Sequence, residues 1–277
     1  MIRSKLVVVA VCALAGVTSA QDGELKWKLA TGDVLVYDHV IEQKFKLASD
    51  ESAFEYVQKI EASERLEVEK TTAEGNFQVK VTVCKVRVTV DGKVMFDSDA
   101  PEKGDPNAAA MFKQAIGQSQ TFTMTPSGRL AGAKGTLENR MQQGFGGGSP
   151  IGAEGGLPMS IIAVPLPDAP LGANRSWSID AAEENENGTK MISTSTYRVE
   201  GAGIKGETSL KLDRAPATMK LREGAGKQRA TFDSAAGNLK ESDLDFTVTL
   251  ENVIEGKVVK VTNGMKSTTK LKERVKK

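Results

Sequence analysis

Residues 33–47, DVLVYDHVIEQKFKL, alternate between apolar and polar side chains. Leu35, Tyr37, His39, Ile41, Phe45 and Leu47 fall on one face. Asp38, Glu42, Lys44 and Lys46 fall on the other. A period of two with one apolar face predicts a half-buried β-strand. Residues 53–69 are rich in Glu and Lys and fit either a helix or a long solvated strand. The strand is preferred, because TTAEGN at 71–76 then reads as the turn into the next segment.

That next segment slips. Phe77, Val79, Val81 and Val83 place apolar groups on odd positions, whereas Val86, Val88 and Val90 place them on even ones. The change falls at Cys84-Lys85. One extra residue in a strand moves every later side chain to the opposite face, so a β-bulge is expected here, bending a strand of more than ordinary length. A reactive thiol at Cys84 is the sharper alternative and needs a cationic, accessible setting. VTVDGKVMF then carries a strong hairpin signal, with Asp91-Gly92 suited to a type I′ turn.

Downstream the pattern is punctuated. A Pro- and Asp-rich loop leads to a short helix over 106–117, with Asn107 as its expected cap. SQTFTMTPSGRLAG returns to strand around a turn at 126–128, and 134–143 read as a second short helix. Residues 144–158 are Gly-rich and form either a linker or an ordered loop. Within DLDFTVTLENVI, Leu244, Phe246, Val248 and Leu250 share a face, and Asn263-Gly264 predicts a hairpin beyond it. GANRSWSI at 172–179 echoes GDVLVY at 32–37, and FDSAAGNL at 232–239 echoes FTMTPSGRL at 122–130. The chain therefore divides into an N-terminal β half, 21–143, and a related C-terminal half, 159–277, across the Gly-rich segment.

Composition adds the setting. Arg3 and Lys5 precede the run LVVVAVCALAGV and then TSA, the layout of a secretory signal over residues 1–20. No later segment is apolar enough to span a bilayer as a helix. Loss of Arg3 and Lys5 from 37 basic residues, against 36 acidic ones, leaves a net charge of about −1. That balance gives no reason to expect a nucleic-acid partner. Cys84 is then the sole cysteine, so no internal disulfide can form. A periplasmic or secreted bacterial protein fits these features.

Few catalytic sets are available. His39 is the only histidine, which excludes a metal site built on several histidines. No G-x-S-x-G elbow occurs, the glycines of 144–156 lack the context of a P-loop or a dinucleotide-binding turn, and no cofactor is expected. His39 lies on an apolar strand face and reads first as a buried, hydrogen-bonded histidine, and second as a polar group orienting an apolar guest. The carboxylates of 97–105 and 180–188 read as solvated turns. Lys266, Lys270 and Lys272, with Arg274, Lys276 and Lys277 beyond, read as charges guarding an exposed sheet edge.

The segments TGDVLVY, VDGKVMFDSD, TMTPSGRL, PLPDAPLGANRSWS and TFDSAAGNLKES together resemble an uncharacterised family of bacterial exported β-rich proteins. The architecture is also similar to that of periplasmic lipoprotein carriers, in which a curved antiparallel sheet wraps an apolar groove. The expected fold is mainly β, a curved antiparallel sheet or open barrel with a few short helices. The expected function is non-catalytic binding of a lipid or other apolar ligand, or of an envelope component, with Tyr37, His39, Ile41 and Phe45 as the candidate ligand-facing residues. The alternatives are a structural or protein-interaction module of the envelope and, third, a hydrolase using loop carboxylates.

Overall fold

Alternation is the rule throughout the described residues, which are 24–113, 116–131, 164–184 and 188–276 of a computed structural model. The signal segment, the helix expected at 134–143 and the Gly-rich stretch lie outside them. The strands are β1 (Val34–Ala48), β2 (Ala53–Thr71), β3 (Phe77–Val90), β4 (Lys93–Asp97), β5 (Ser119–Met124) and β6 (Leu130–Ala131). After the segment at 164–175 come β7 (Ser176–Glu184), β8 (Lys190–Glu200), β9 (Gly203–Arg214), β10 (Met219–Asp233), β11 (Asn238–Ile254) and β12 (Lys257–Val275). A short helix α1 (Pro106–Lys113) follows β4.

All twelve strands join one antiparallel sheet in the order β6-β5-β3-β2-β1-β12-β11-β10-β9-β8-β7, with β4 beside the far part of β3. The first and last strands meet in the middle, paired from Val34–Val275 to Ala48–Lys260. Neither β6 nor β7 pairs with the other, so the sheet is open.

One face carries the core. At one end of the strands, Leu35, Leu66, Val79 and Met124 from one half share a single cluster with Tyr197, Ile204 and Phe232 from the other. Residues so distant in strand order can touch only if the sheet curls. Two coil segments fill the curl. The segment at 24–30 donates from Trp27 N to Pro126 O and from Lys28 N to Gly237 O, bridging the two halves. The segment at 164–171 bonds Leu166 N to Ser127 O and receives the Trp177 indole N–H at Pro165 O, 3.1 Å. The curl is eased where the inner face has no side chain: a Cβ on Gly226 would stand 2.3 Å from the Phe246 ring, and one on Gly206 2.6 Å from the Tyr197 ring. Each aromatic ring lies across the backbone of its glycine partner on the neighbouring strand.

The expected bulge is present. Ser63 pairs with Lys85 and Glu64 with Val83, which leaves Cys84 as the extra, exposed residue. Its insertion lets Val81 and Val86 both face the core. The Asp91-Gly92 turn has φ of 49° and 77°, as a type I′ hairpin demands.

Four local expectations are corrected. The last hairpin turns at Glu255-Gly256, with φ of 51° and 79°, not at Asn263-Gly264, which lie inside β12. The helix is capped by Asp105, whose carboxylate accepts the Asn107 N–H at 2.9 Å, with Pro106 at the first helical position. β12 is a central strand, so its lysines guard no edge: Lys270 reaches Glu241 at 2.9 Å and Lys272 reaches Asp38 at 3.6 Å on the polar face. Asp180 and Glu184 lie on β7 rather than in a turn.

The bulge gives a direct test. Cys84→Ala keeps the count of residues and should shift stability by less than about 0.5 kcal/mol in urea unfolding. Deletion of Cys84 moves Val86 and Val88 off the core face and should abolish the cooperative transition.

Candidate functional site on the inner face

The four residues singled out on the first strand line the inner face in register order, but in two different environments. Tyr37 and His39 sit near the filled end. Ile41 packs beside Ile60, Val86 and Val88, a cluster covered by Phe112 of α1. Phe45 lies further out, stacked on Tyr56 of β2 with ring centres 5.4 Å apart.

Tyr37 is fully buried, and its hydroxyl donates to Leu239 O across the sheet at 3.0 Å. Burial pushes the phenol well above its ordinary range, and the Arg274 charge opposes this only in part. His39 is also buried. Its Nδ1 shares a 3.1 Å hydrogen bond with Thr269 Oγ1, and its Nε2 stands 3.3 Å from Glu64 Oε2. Glu64 is as buried as His39, so a carboxylate and an imidazole meet in an apolar surround. The Nε2 and Oε2 atoms make no directed hydrogen bond, which leaves this a contact between buried ionisable groups. Such a pair is tolerated because each group is the other's compensation.

Glu64 was not singled out from the sequence, although the signal was there. Ile60, Ala62, Glu64, Leu66 and Val68 share one parity, and the only acid among them must point at the core. The second buried carboxylate, Asp33, bonds Arg274 at 2.8 Å. The loop acids expected to be solvated are engaged locally: Asp99 with Lys85, Asp97 with Arg87. Among the described residues no group of three or more His, Cys, Asp or Glu is placed to hold a metal ion.

Beyond the His39–Glu64 pair the face becomes mixed. Phe45 stands opposite Asn263, which in turn stands opposite Val248, with Met265, Phe246 and Leu250 nearby. Asn263 is 6% exposed and its Oδ1 has no hydrogen-bond partner. Other polar groups on the face are paired, as Gln228 Nε2 is with Ser242 Oγ at 3.3 Å and Ser195 with Thr208 at 2.8 Å, whereas Asn252 Oδ1, like Asn263 Oδ1, has no partner. A separate open hollow of about 560 Å³ lies on the opposite, polar face, lined by Thr194, Glu207, Glu223, Lys227 and Asp245 among others.

No protein-family model matches the sequence, and no curated protein matches it. Among solved structures, the chain is similar to lipovitellin, in a structure describing its lipid–protein interactions, at 10% identity and a TM-score of 0.49. That match covers 90% of this chain and 26% of lipovitellin, so the chain spans about a quarter of that protein. It is also similar to a putative outer membrane lipoprotein-sorting protein domain from Vibrio parahaemolyticus, at 7% identity and TM-score 0.14, covering 89% and 86% of the two chains. A third match is a DUF1329 family protein from Desulfovibrio piger, at 8% identity and TM-score 0.14, covering 84% of each chain. No helix among the described residues is long and apolar enough to cross a membrane.

Two measurements test this polar cluster. His39→Leu leaves the Glu64 carboxylate without compensation and should cost about 3–5 kcal/mol in urea unfolding, while His39→Leu/Glu64→Leu should recover most of it. For Tyr37 the raised phenol stabilises the fold below the unfolded-state value of about 10 and loses that contribution as pH rises above it. Tyr37→Phe should therefore cost about 1 kcal/mol at neutral pH for the lost hydrogen bond. Its stability should also fall less steeply than that of the wild type between about pH 10 and 11.

Proposed function

We propose that the protein is a non-catalytic, exported binder of an apolar ligand, held on the inner face of its curled sheet. The observation that carries this reading is Asn263. An amide oxygen left without a donor inside a stable fold costs about 1–3 kcal/mol, and such exceptions call for a reason. Here it stands between Phe45 and Val248 on the neighbouring strands, with Met265 and Phe246 nearby. A site that is mostly apolar, with one polar atom to fix orientation, is the usual make-up of a small-molecule pocket. The ligand that fits carries a long apolar body and one hydrogen-bond donor, such as a hydroxyl or an amide N–H.

The remaining candidates lie further along β1. Ile41 packs with the Ile60 cluster under α1. Tyr37 and His39 are buried toward the filled end, held by Leu239 O, Thr269 and Glu64. The signal-like N-terminus supports an exported setting, where lipids and lipoproteins of the envelope supply ligands of this class. The neighbours named for lipid interaction and lipoprotein sorting belong to the same range of chemistry.

Native mass spectrometry of the mature protein, purified from envelope-containing cells, tests the proposal. A discrete lipid-sized adduct, extractable into organic solvent, is expected. Asn263→Leu should lower its occupancy at least fivefold while raising stability in urea, because the replacement removes an unpaired buried polar atom. A bare protein mass in repeated preparations, or an adduct indifferent to Asn263→Leu and Phe45→Arg alike, would overturn it.

A further inference from the structure

Asn263 shares its condition with a second residue of the inner face. Asn252 Oδ1, on β11, is also buried without a hydrogen-bond partner. β11 and β12 pair without a register shift from Glu241–Lys270 to Ile254–Lys257, so the alternation along both is unbroken. Leu244, Phe246, Val248 and Leu250 pack together on the inner face, and Asn252 follows them on the same parity. Val248 is the cross-strand neighbour of Asn263, and Asn252 lies four residues further along β11, opposite Val259. At the rise of an antiparallel strand, the two asparagines stand about 14 Å apart on adjacent strands.

The surface between them is apolar. Leu250 pairs with Leu221 on one side and with Val261 on the other, and Val261 pairs with Leu47. All four side chains are only half-buried. A strip of partly uncovered apolar surface therefore has an unpaired amide oxygen at either end. Each oxygen costs stability while it lacks a donor. Two such oxygens on one strip are both relieved by a single occupant long enough to reach them. We infer that the ligand of the inner face is an extended apolar chain with a hydrogen-bond donor near each end, the two donors about 14 Å apart, one for Asn263 and one for Asn252. This inference rests on the reading of the inner face as a binding site and adds to it the second donor and the spacing.

The acceptors set the chemistry of the two ends. An amide oxygen accepts and does not donate, so hydroxyl, amide N–H and ammonium groups fit it. A carboxylate or phosphate would bring acceptors to an acceptor. Lys257, the cation at the end of the same row on β12, is already engaged by Glu51 at 2.7 Å. Plain fatty acids are therefore disfavoured, and long-chain diols, hydroxy-amides and acylated amines are the class expected.

The test uses the full mature chain and calorimetric titration with three probes: decanediol with a hydroxyl at each end, decanol and decanoate. The wild type should bind the diol at least fivefold more tightly than decanol, and decanol more tightly than decanoate. Asn252→Leu and Asn263→Leu should each bring the diol down to the affinity of decanol. Decanol itself should stay within twofold of its wild-type affinity in both variants, which also reports an intact fold. Equal binding of diol and decanol by the wild type, or decanoate bound as tightly as decanol, would overturn the inference. A diol preference lost in Asn263→Leu but kept in Asn252→Leu would overturn the second contact and leave the inner-face reading standing. Binding of neither alcohol would count against both.

Discussion

Arg274 gathers parts of the chain that are remote in sequence onto one guanidinium. It bonds Asp33 just ahead of the first strand at 2.8 Å, the carbonyl of Lys28 in the coil plug at 3.0 Å, and both Ala236 O and Asn238 Oδ1 at 2.6 Å in the β10–β11 turn. A planar fork with five donors in fixed directions can serve this many acceptors, whereas a lysine presents a single point of charge. The group is nearly buried, so each acceptor also offsets the cost of its desolvation. The site lies at the base of the β1–β12 pairing, where the two halves of the sheet are joined. Without it the plug loses an anchor on the sheet, and the filled end loses part of what holds the curl.

That curl decides what the inner face can be. A flat sheet of this size would expose one whole apolar face. Here the coil segments at 24–30 and 164–171 cover it at one end, where Tyr197 lies over Gly206, while Phe246 lies over Gly226 further along the face. Toward the tips the same face carries Phe45, Tyr56 and Met265, each only partly buried. The gradient from filled to open along each strand follows from long strands whose plugs reach only one end. The exposed Val253, Ile254, Val258 and Phe54 lie where the gradient ends.

Most of this was legible as alternation. The parity of Leu35 to Leu47, the parity change at Cys84 and the inward row of Leu244 to Leu250 all reappear in the paired strands. What failed depended on partners that lie far off in sequence. Asn263-Gly264 and Glu255-Gly256 both offer a glycine after a turn-tolerant residue. Only pairing of β12 with β1 and β11 along its whole length selects the second. The lysines of β12 looked like edge guards because the sequence does not show that the last strand pairs with the first. Glu64 was hidden by its neighbours: surrounding Glu and Lys made its strand look solvated, and its parity alone marked it as inward. Its partner His39 lies more than twenty residues away, on the adjacent strand.

The polar groups of the inner face separate packing from binding. A face that served only as core would be expected to carry few polar side chains, yet Gln58, Gln228, Ser195, Ser242, Asn263 and Thr269 are all buried there. Several are accounted for by each other: Gln228 with Ser242, Ser195 with Thr208, Thr269 with His39. Cross-strand pairs of this kind satisfy a polar group without leaving a mark for anything else to read. Asn263 Oδ1 has no hydrogen-bond partner although it is buried between Phe45 and Val248, and an isosteric leucine would pack there at no polar cost. Stability alone therefore does not account for an asparagine at this position. A group kept against stability is best explained by what it contacts in use. It lies beside Phe45, beyond the His39–Glu64 pair, on the partly covered stretch of the sheet where the proposed ligand would sit.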